Sequence, residues 1–478
     1  MDSYHIVAIG SGFATSFFLH GYLRAAPPGA KVLVLERGPL IRHADRIKRR
    51  LAPGPPGEAI LGRAGDPGKE WIFSMGFGGS SNCWWGCTPR MMPNDLRLRS
   101  AYGVGRDWPV GYDALEDYYR EAEEIMQVSG SAEAAPYPRS RPLPQPPHNF
   151  SDPDRLLKAK YPALFFNQPT ARARVATGDR SPCCANSMCH LCPVDAKFTI
   201  ENGFAELYRD PRVVLLSDAE ALEIDIAAGT ARGLRYRYQG REHQVAADLV
   251  LLGANAIFNP YLLLRSGMTD QALGRGLAEQ LSTFVEVDLE GVENFQGSTS
   301  ITGHGYMFYD GDHRRTRGAC LVESWNAPYF RLDPDRWRET LSLKFIIEDL
   351  PQEGNRVTID PSRPERPLAV FHGYSEYAQA TLRRVPDLAA ELLAGLPVER
   401  IHPPGKARAT EGHVQCTVRM GTDPADSVVD AGLVSHRVRN LVVAGASAFP
   451  TVSPANPTLT LAALSLHAAR RLAGSGSC

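Results

Sequence analysis

One stretch of the chain gathers thiols at spacings that metal and redox chemistry use. In SPCCANSMCHLCPVDAK, residues 181–197, four of the nine cysteines (Cys183, Cys184, Cys189 and Cys192) fall within ten consecutive positions. Thiolates this close together suit iron–sulfur ligation, and a proline after the last cysteine is a feature of ferredoxin-type runs. The same residues could supply a four-ligand zinc site, with His190 as a further donor. A disulfide is a third reading, although vicinal cysteines bridge each other only with strain. Nine cysteines in 478 residues is far from a disulfide scaffold, and an odd count leaves at least one thiol unpaired.

A second arrangement lies at the start of the chain. Gly10, Gly12 and Thr15 form a G-x-G-x-x-small turn between the apolar run YHIVAIG and a helical stretch. Without side chains such a turn brings backbone N–H groups and a helix N-terminus against a pyrophosphate. Glu36 ends the next apolar run, VLVLE, where a carboxylate can accept both hydrogens of a ribose diol. The plainer alternative is an α/β turn with no ligand, and the full strand–turn–helix–strand–acid context counts against it. The motif does not separate FAD from NAD.

Elements that position these groups follow from the patterning. YHIVAIGSGFATSFFLHGYLRAAPPGAKVLVLERG reads as strand, glycine turn, helix, strand. Residues 41–70, rich in Arg, Gly and Pro, read as a surface loop. YDALEDYYREAEEIMQVSG reads as a helix with Asp113 near its start. APYPRSRPLPQPPHNF cannot be regular structure and reads as a linker or wrapping arm. Two β-like stretches follow the cysteines, RVVLLSDAEALEIDI and ARGLRYRYQGREHQVAADLVLLGA. The middle third mixes strands (LSLKFIIEDL, NRVTID) with the helix YAQATLRRVPDLAAELLAGL, and the chain closes as strand, irregular loop and long helix. There is no internal repeat. A chain of 478 residues exceeds one hydrophobic core, so two domains are expected. Hydrophobic content of 43% with 22% charged residues is ordinary for a globular protein. A net charge of −1 gives no electrostatic reason to expect nucleic acid or an anionic membrane as partner. No apolar run reaches the length of a membrane span and MDSYHIVAIG has no signal-peptide pattern, so the expected location is cytoplasmic, with export alongside a partner subunit left open.

The C-terminal stretch HVQCTVRMGTDPADSVVD…VRNLVVAGASAFPTVSPANPTLTLAALSLHAARRL resembles the glucose-methanol-choline (GMC) family of FAD-dependent oxidoreductases. It carries the family's H-x-x-G-T-x-R-M-G, ASxFPT and ANPTLT patterns, except that Cys416 stands where glycine is usual. GFGGSSNCWWGCTPRMMPNDL is similar to the family's flavin-covering segment, and the likeness extends over nearly the whole chain. RDWP, the ANAI-type strand exit and TPR point to the branch of gluconate, glucose and fructose dehydrogenase large subunits and pyranose oxidases.

This resemblance implies an α/β, Rossmann-like FAD-binding domain assembled from three segments, 1–95, 175–275 and 405–478. An α+β substrate domain with an antiparallel sheet would comprise 96–174 and 276–404. It implies FAD contacts at Gly10, Gly12, Thr15, Glu36, Gly79, Ser80, Asn82, Cys83, Ala221, Gly445, Ala446, Asn456, Pro457 and Thr458. Residues 456–458 would place N–H groups at the flavin N1–O2 edge, where reduced flavin holds negative charge. The histidine that links some relatives covalently to flavin is replaced here by Cys83 or Asn82.

A single His in HVQCT is on its own more often structural than catalytic. By the resemblance His413 is the active-site base and Asn456, 43 positions later, its partner. Asn456 can hydrogen-bond a substrate oxygen but cannot take its proton, so His413 must do so. The expected reaction is oxidation of a secondary or hemiacetal hydroxyl on a sugar, sugar acid or glycoside, with hydride passing to flavin N5. The cysteine run resembles the C-C-x4-C-x3-C-P segment of FAD-dependent glucose dehydrogenases, which hold a three-iron cluster, but is one residue shorter before Cys192. Cys183, Cys189 and Cys192 are the expected ligands, passing electrons to an acceptor protein or small subunit. The rival readings are an oxidase reducing oxygen to peroxide and a non-catalytic FAD-binding electron-transfer subunit. The aromatics Tyr306, Phe308, Tyr309, Trp325 and Tyr329 could stack on a sugar ring, although such residues are more often core.

Overall fold

The computed structural model describes residues 2–52, 54, 56–131, 136–326 and 331–474. Its first sheet has seven strands drawn from three stretches of chain. Val213–Leu216, Val32–Leu35, Asp2–Ile9 and the latter part of Arg241–Leu252 run parallel in that spatial order, and Leu441–Val443 adds a fifth beside residues 250–252. Residues 6–9, 32–35 and 249–252 are buried throughout, as continuous apolar runs in a parallel sheet should be. The first half of Arg241–Leu252 pairs antiparallel with Thr230–Tyr238, which pairs with Ala219–Ala227. One twelve-residue strand therefore joins a meander to the parallel layer.

Helix Phe13–Leu23 is buried at ten of eleven positions. It runs along the last helix, Thr458–Gly474, so FATSFFLHGYL has little need of a polar face. The first and last helices thereby pack on each other.

The second sheet is antiparallel, with the order Val398–Ile401, Leu281–Leu289, Thr340–Ile347, Cys320–Trp325, Ile301–Gly305, Phe165–Asn167. Successive side chains alternate between its faces. Leu281, Val285, Val287, Leu341, Leu343, Phe345 and Ile347 pack with helix Glu376–Leu393 through Val385, Leu388 and Leu392. The intervening residues Phe284, Lys344, Glu323 and Trp325 face the other way, toward a cavity against the first sheet.

The segment 41–70, read as loop, contains helix His43–Lys48 and strand Gly62–Gly65. That strand pairs parallel with Pro367–Phe371 in a three-stranded sheet completed by Arg356–Ile359. The sequence GRAG has no strand pattern; its partner strand, 306 positions further along (Leu368 opposite Gly62), supplies the ladder that holds it extended. Described residues of the proline-rich arm form no helix or strand, and Gln145 ties it back by accepting from Arg174 N at 2.8 Å. Among the described residues no helix is long and apolar enough to cross a membrane.

Candidate active site

The carboxyl ends of the parallel strands open onto one cavity of about 660 Å³, the place where open α/β sheets bind ligands. Gly10, Gly12, Glu36, Gly253 and Gly445 all lie on its wall. Gly10 has φ +89°, and a Cβ there would stand 2.7 Å from the Gly253 carbonyl, so only glycine lets the turn pass that close. At Gly12 an added Cβ would meet nothing within 4 Å, so the backbone is bare toward the cavity. Glu36 is buried and accepts four hydrogen bonds, from Ser11 N (3.1 Å), Ser11 Oγ (2.8 Å), Gly38 N (3.0 Å) and Gly76 N (3.0 Å). These donors fix the carboxylate beside the glycine turn, on the cavity wall. Thr15 does not reach the cavity; it is buried behind the turn, against Gly253.

The covering segment makes a short 3-10 turn, Gly79–Asn82, over the helix N-terminus. Gly79, Ser80 and Cys83 line the cavity, together with Ala221, Ala446, Pro457 and Thr458. Asn82 does not: its amide donates to Phe77 O and Gly79 O, both at 2.9 Å, and holds the turn in shape. Burial pushes the Cys83 thiol above its ordinary range, against the opposing pull of Lys197. Lys197, itself buried, donates to Asn82 O (2.9 Å), Trp84 O (2.8 Å) and Cys189 O (2.7 Å), which pins this segment to the cysteine run. Its burial lowers the ammonium pKa to about 8.

His413 and Asn456 both line this cavity. His413 Nδ1 lies 3.1 Å from Gln280 Oε1, and its backbone N–H donates to Glu279 Oε2 at 3.2 Å. Glu279 also accepts from Glu411 N and Thr410 Oγ1, each at 3.2 Å, and pairs with the Lys69 ammonium. One buried carboxylate thus holds the segment that leads into the histidine. Loss of water around the ring pushes the His413 pKa down to about 4, the Lys344 charge adding to the effect while Glu411 and Glu323 oppose it. The Oδ1 atom of Asn456 is buried with no partner. An orphaned acceptor on a cavity wall is a group prepared for a ligand.

Above this pair the antiparallel sheet presents a recess that motif reading did not anticipate. Lys344 faces Phe284 and Glu323 across neighbouring strands, and Glu323 faces His304. The Lys344 ammonium pairs with Glu411, and Glu323 accepts from Trp325 Nε1 at 3.1 Å. Trp325 and Trp85 sit with ring centroids 4.9 Å apart. Polar side chains converging beside flat aromatic faces form a surface that suits a polyhydroxylated ring. The one available signal was the alternation in LSLKFII, which puts a charge where a buried strand would hold an apolar residue. Of the other aromatics singled out, Tyr306, Phe308 and Tyr309 are core residues, and Tyr329 lies outside the described residues.

The cysteine run needs correcting. Among the described residues no three His, Cys, Asp or Glu side chains are grouped as metal ligands. Cys183 Sγ lies 3.5 Å from Thr299 Oγ1, Cys189 Sγ 3.1 Å from Ser300 Oγ, and Cys192 Sγ accepts from Ala196 N at 3.3 Å. Cys184 is exposed, and no disulfide forms among the described cysteines. Each of the three expected ligands thus has its own protein partner. The buried Arg172 guanidinium lies 3.9 Å from Cys189 Sγ and also donates to Thr299 Oγ1 at 2.7 Å, so a fixed cation sits beside the expected ligands. Cys416 does not line this cavity; it is buried at φ +78°, a left-handed position that explains why glycine is usual there.

A family model described as GMC oxidoreductase matches residues 351–465. The chain is similar to a paromamine 6′-oxidase of Streptomyces fradiae, 30% identical over 98% of this chain and 91% of the relative. It is also similar to a fructose dehydrogenase large subunit of Gluconobacter japonicus, 27% identical over 97% and 96% of the two chains. Among solved structures, a pyridoxine 4-oxidase from Mesorbium loti superposes with a TM-score of 0.70 at 19% identity, covering 98% of this chain and 99% of that one.

Proposed function

The chain belongs to the GMC oxidoreductase family, whose members are FAD-dependent alcohol or sugar oxidoreductases, and from that premise we propose that it oxidises a secondary or hemiacetal hydroxyl of a sugar, sugar acid or glycoside. The observation that carries this reading is the placement of His413 and the orphaned Asn456 Oδ1 on the wall shared by the dinucleotide turn and the tryptophan-lined recess. Bound FAD supplies the hydride acceptor. The bare turn at Gly12, the Glu36 carboxylate and the unpartnered Asn456 fit that cofactor, with Gly445, Ala446 and residues 456–458 beside its middle and flavin portions.

His413, uncharged at neutral pH, takes the proton from the substrate hydroxyl, and the amide N–H of Asn456 donates to that oxygen. Glu323, Lys344 and Glu411 meet the remaining hydroxyls, while Trp85 and Trp325 cover the ring faces. The names of the two relatives, one for fructose and one for paromamine, agree with a sugar or glycoside as substrate class. The seven-stranded sheet supports an FAD-binding unit formed by 1–95, 175–275 and 405–478, and the antiparallel sheet a substrate unit formed by 96–174 and 276–404.

The onward acceptor is the second choice to be made. A cluster on Cys183, Cys189 and Cys192 gains no support from thiols that point to separate partners, so direct reduction of oxygen is the reading favoured here. The dehydrogenase reading, with a partner subunit, draws on the relative named a large subunit. Purified enzyme is tested anaerobically against a panel of sugars, glycosides and simple alcohols. Flavin bleaching by a sugar in the native enzyme, abolished in His413→Ala with FAD content unchanged, supports the proposal. Unchanged bleaching in the variant refutes it. Peroxide matching turnover without bound iron assigns the oxidase reading, and stoichiometric iron overturns it.

A further inference from the structure

The side chain of Gln280 touches His413 and the backbone that leads into Asn456. It is 1% exposed and immediately precedes strand Leu281–Leu289. Its Nε2 donates to Ser453 O at 2.8 Å and Ala455 O at 3.1 Å, and its Oε1 lies 3.1 Å from His413 Nδ1. A carboxamide has two donors on nitrogen and only acceptors on oxygen. Two carbonyls can be served only by the nitrogen, so they fix which way the amide faces. The oxygen is thereby committed to His413, and Nδ1 must bring the hydrogen to that contact. In a neutral imidazole the other nitrogen is then the acceptor.

We infer that Gln280 is a positioning residue that holds His413 in the tautomer with hydrogen on Nδ1 and a free lone pair on Nε2, and that ties the ring to the loop carrying Asn456. The inference rests on His413 being the base, as proposed above. A base that abstracts a hydroxyl proton needs its lone pair on the nitrogen that meets the substrate, and the wrong tautomer offers a hydrogen there instead. Ser453 and Ala455 lie three and one positions before Asn456, so the same amide that orients the base also fixes the chain that presents its partner. The charged groups facing His413 are Glu411, Lys344 and Glu323. Gln280 itself is uncharged, so it orients the ring without adding charge to it.

Two variants separate this role from simple packing. Gln280→Met keeps the length of the side chain and removes the acceptor. Gln280→Glu keeps an acceptor for Nδ1–H but brings a negative charge. The readouts are long-range 1H–15N spectra of 15N-histidine-labelled protein, with His413 assigned by its loss in His413→Asn, and the pH dependence of kcat/KM. FAD content and melting temperature identify a variant that has not folded. The expected result for Gln280→Met is a mixed-tautomer His413 signal and a fall in kcat/KM of roughly 10–100-fold. For Gln280→Glu the Nδ1–H tautomer persists and the acid limb moves to higher pH, because a carboxylate beside the ring favours imidazolium. A wild-type tautomer in Gln280→Met, whether or not activity falls, overturns the inference, as does an unmoved acid limb in Gln280→Glu. If His413→Asn itself keeps full activity, the reading of His413 as base has failed, and the tautomer signals still report separately on Gln280.

Discussion

His413 sits where burial strips water from its ring, and that cost falls on the charged imidazolium alone. Its pKa is about 4, below the ordinary 6.5, so the ring is an uncharged base from about pH 5 upward. The expected profile of kcat/KM is therefore flat from pH 5 to 8, with an acid limb centred near pH 4; a limb near 6.5 in a steady-state titration would contradict it. The same shift sets a sign for stability. Protonation favours the unfolded chain, so this histidine's contribution is fully present above pH 6.5 and is lost as pH falls toward 4. Gly10, Gly12 and Glu36 were readable in the sequence because a glycine turn and a strand-ending acid have fixed spacing. His413 and Asn456 were readable because each sits inside a long motif. Gln280 had no such mark, since one glutamine before a strand says nothing until two distant carbonyls orient it. The cysteine run is the opposite case: spacing brings thiols near one another along the chain, but ligation needs their sulfurs to converge, which spacing alone does not supply, and here each of the three has its own polar partner.

Between strand Asp2–Ile9 and helix Phe13–Leu23 the chain turns within three residues, and Gly10 takes the left-handed conformation that permits it. Gly10→Ala must accept backbone strain of about 1–2 kcal/mol and a Cβ driven toward the Gly253 carbonyl. The expected outcome is protein purified with little FAD and a lowered melting temperature; full flavin content would show that the turn relaxes freely. The neighbouring elements were legible to the extent that their pattern is local. Buried parallel strands show as VLVL and LVV, and the alternating strand LSLKFII shows its two faces. Strand Gly62–Gly65 was invisible because its four residues carry no preference and its extended form comes from pairing with Pro367–Phe371. The fate of residues 41–70 was thus decided by a contact that no window of sequence contains.

Because the cavity is built where three distant stretches of chain meet, its ligand should act as a clasp on the whole molecule. A ligand bound only by the folded state stabilises it by about 2.7 kcal/mol at a hundred times its Kd. Removing FAD is expected to lower the melting temperature, and added FAD to restore it in a concentration-dependent way; a melting temperature indifferent to FAD would show that the sheet holds those stretches unaided. That a parallel and an antiparallel sheet occur together was expected from the family resemblance, and the third, three-stranded sheet was not. That the tryptophan-lined recess belongs to the antiparallel sheet was not, since it depends on the register pairing Lys344 with both Phe284 and Glu323. That register has a practical consequence for redesign. Odd positions of strands Leu281–Leu289 and Thr340–Ile347 grip helix Glu376–Leu393, while even ones such as Phe284 and Lys344 look onto the recess. The strand is written in two interleaved alphabets, one spelling endurance and the other appetite. A library confined to the cavity-facing Phe284 and Lys344 tests what the recess accepts while leaving the side chains packed on that helix unchanged.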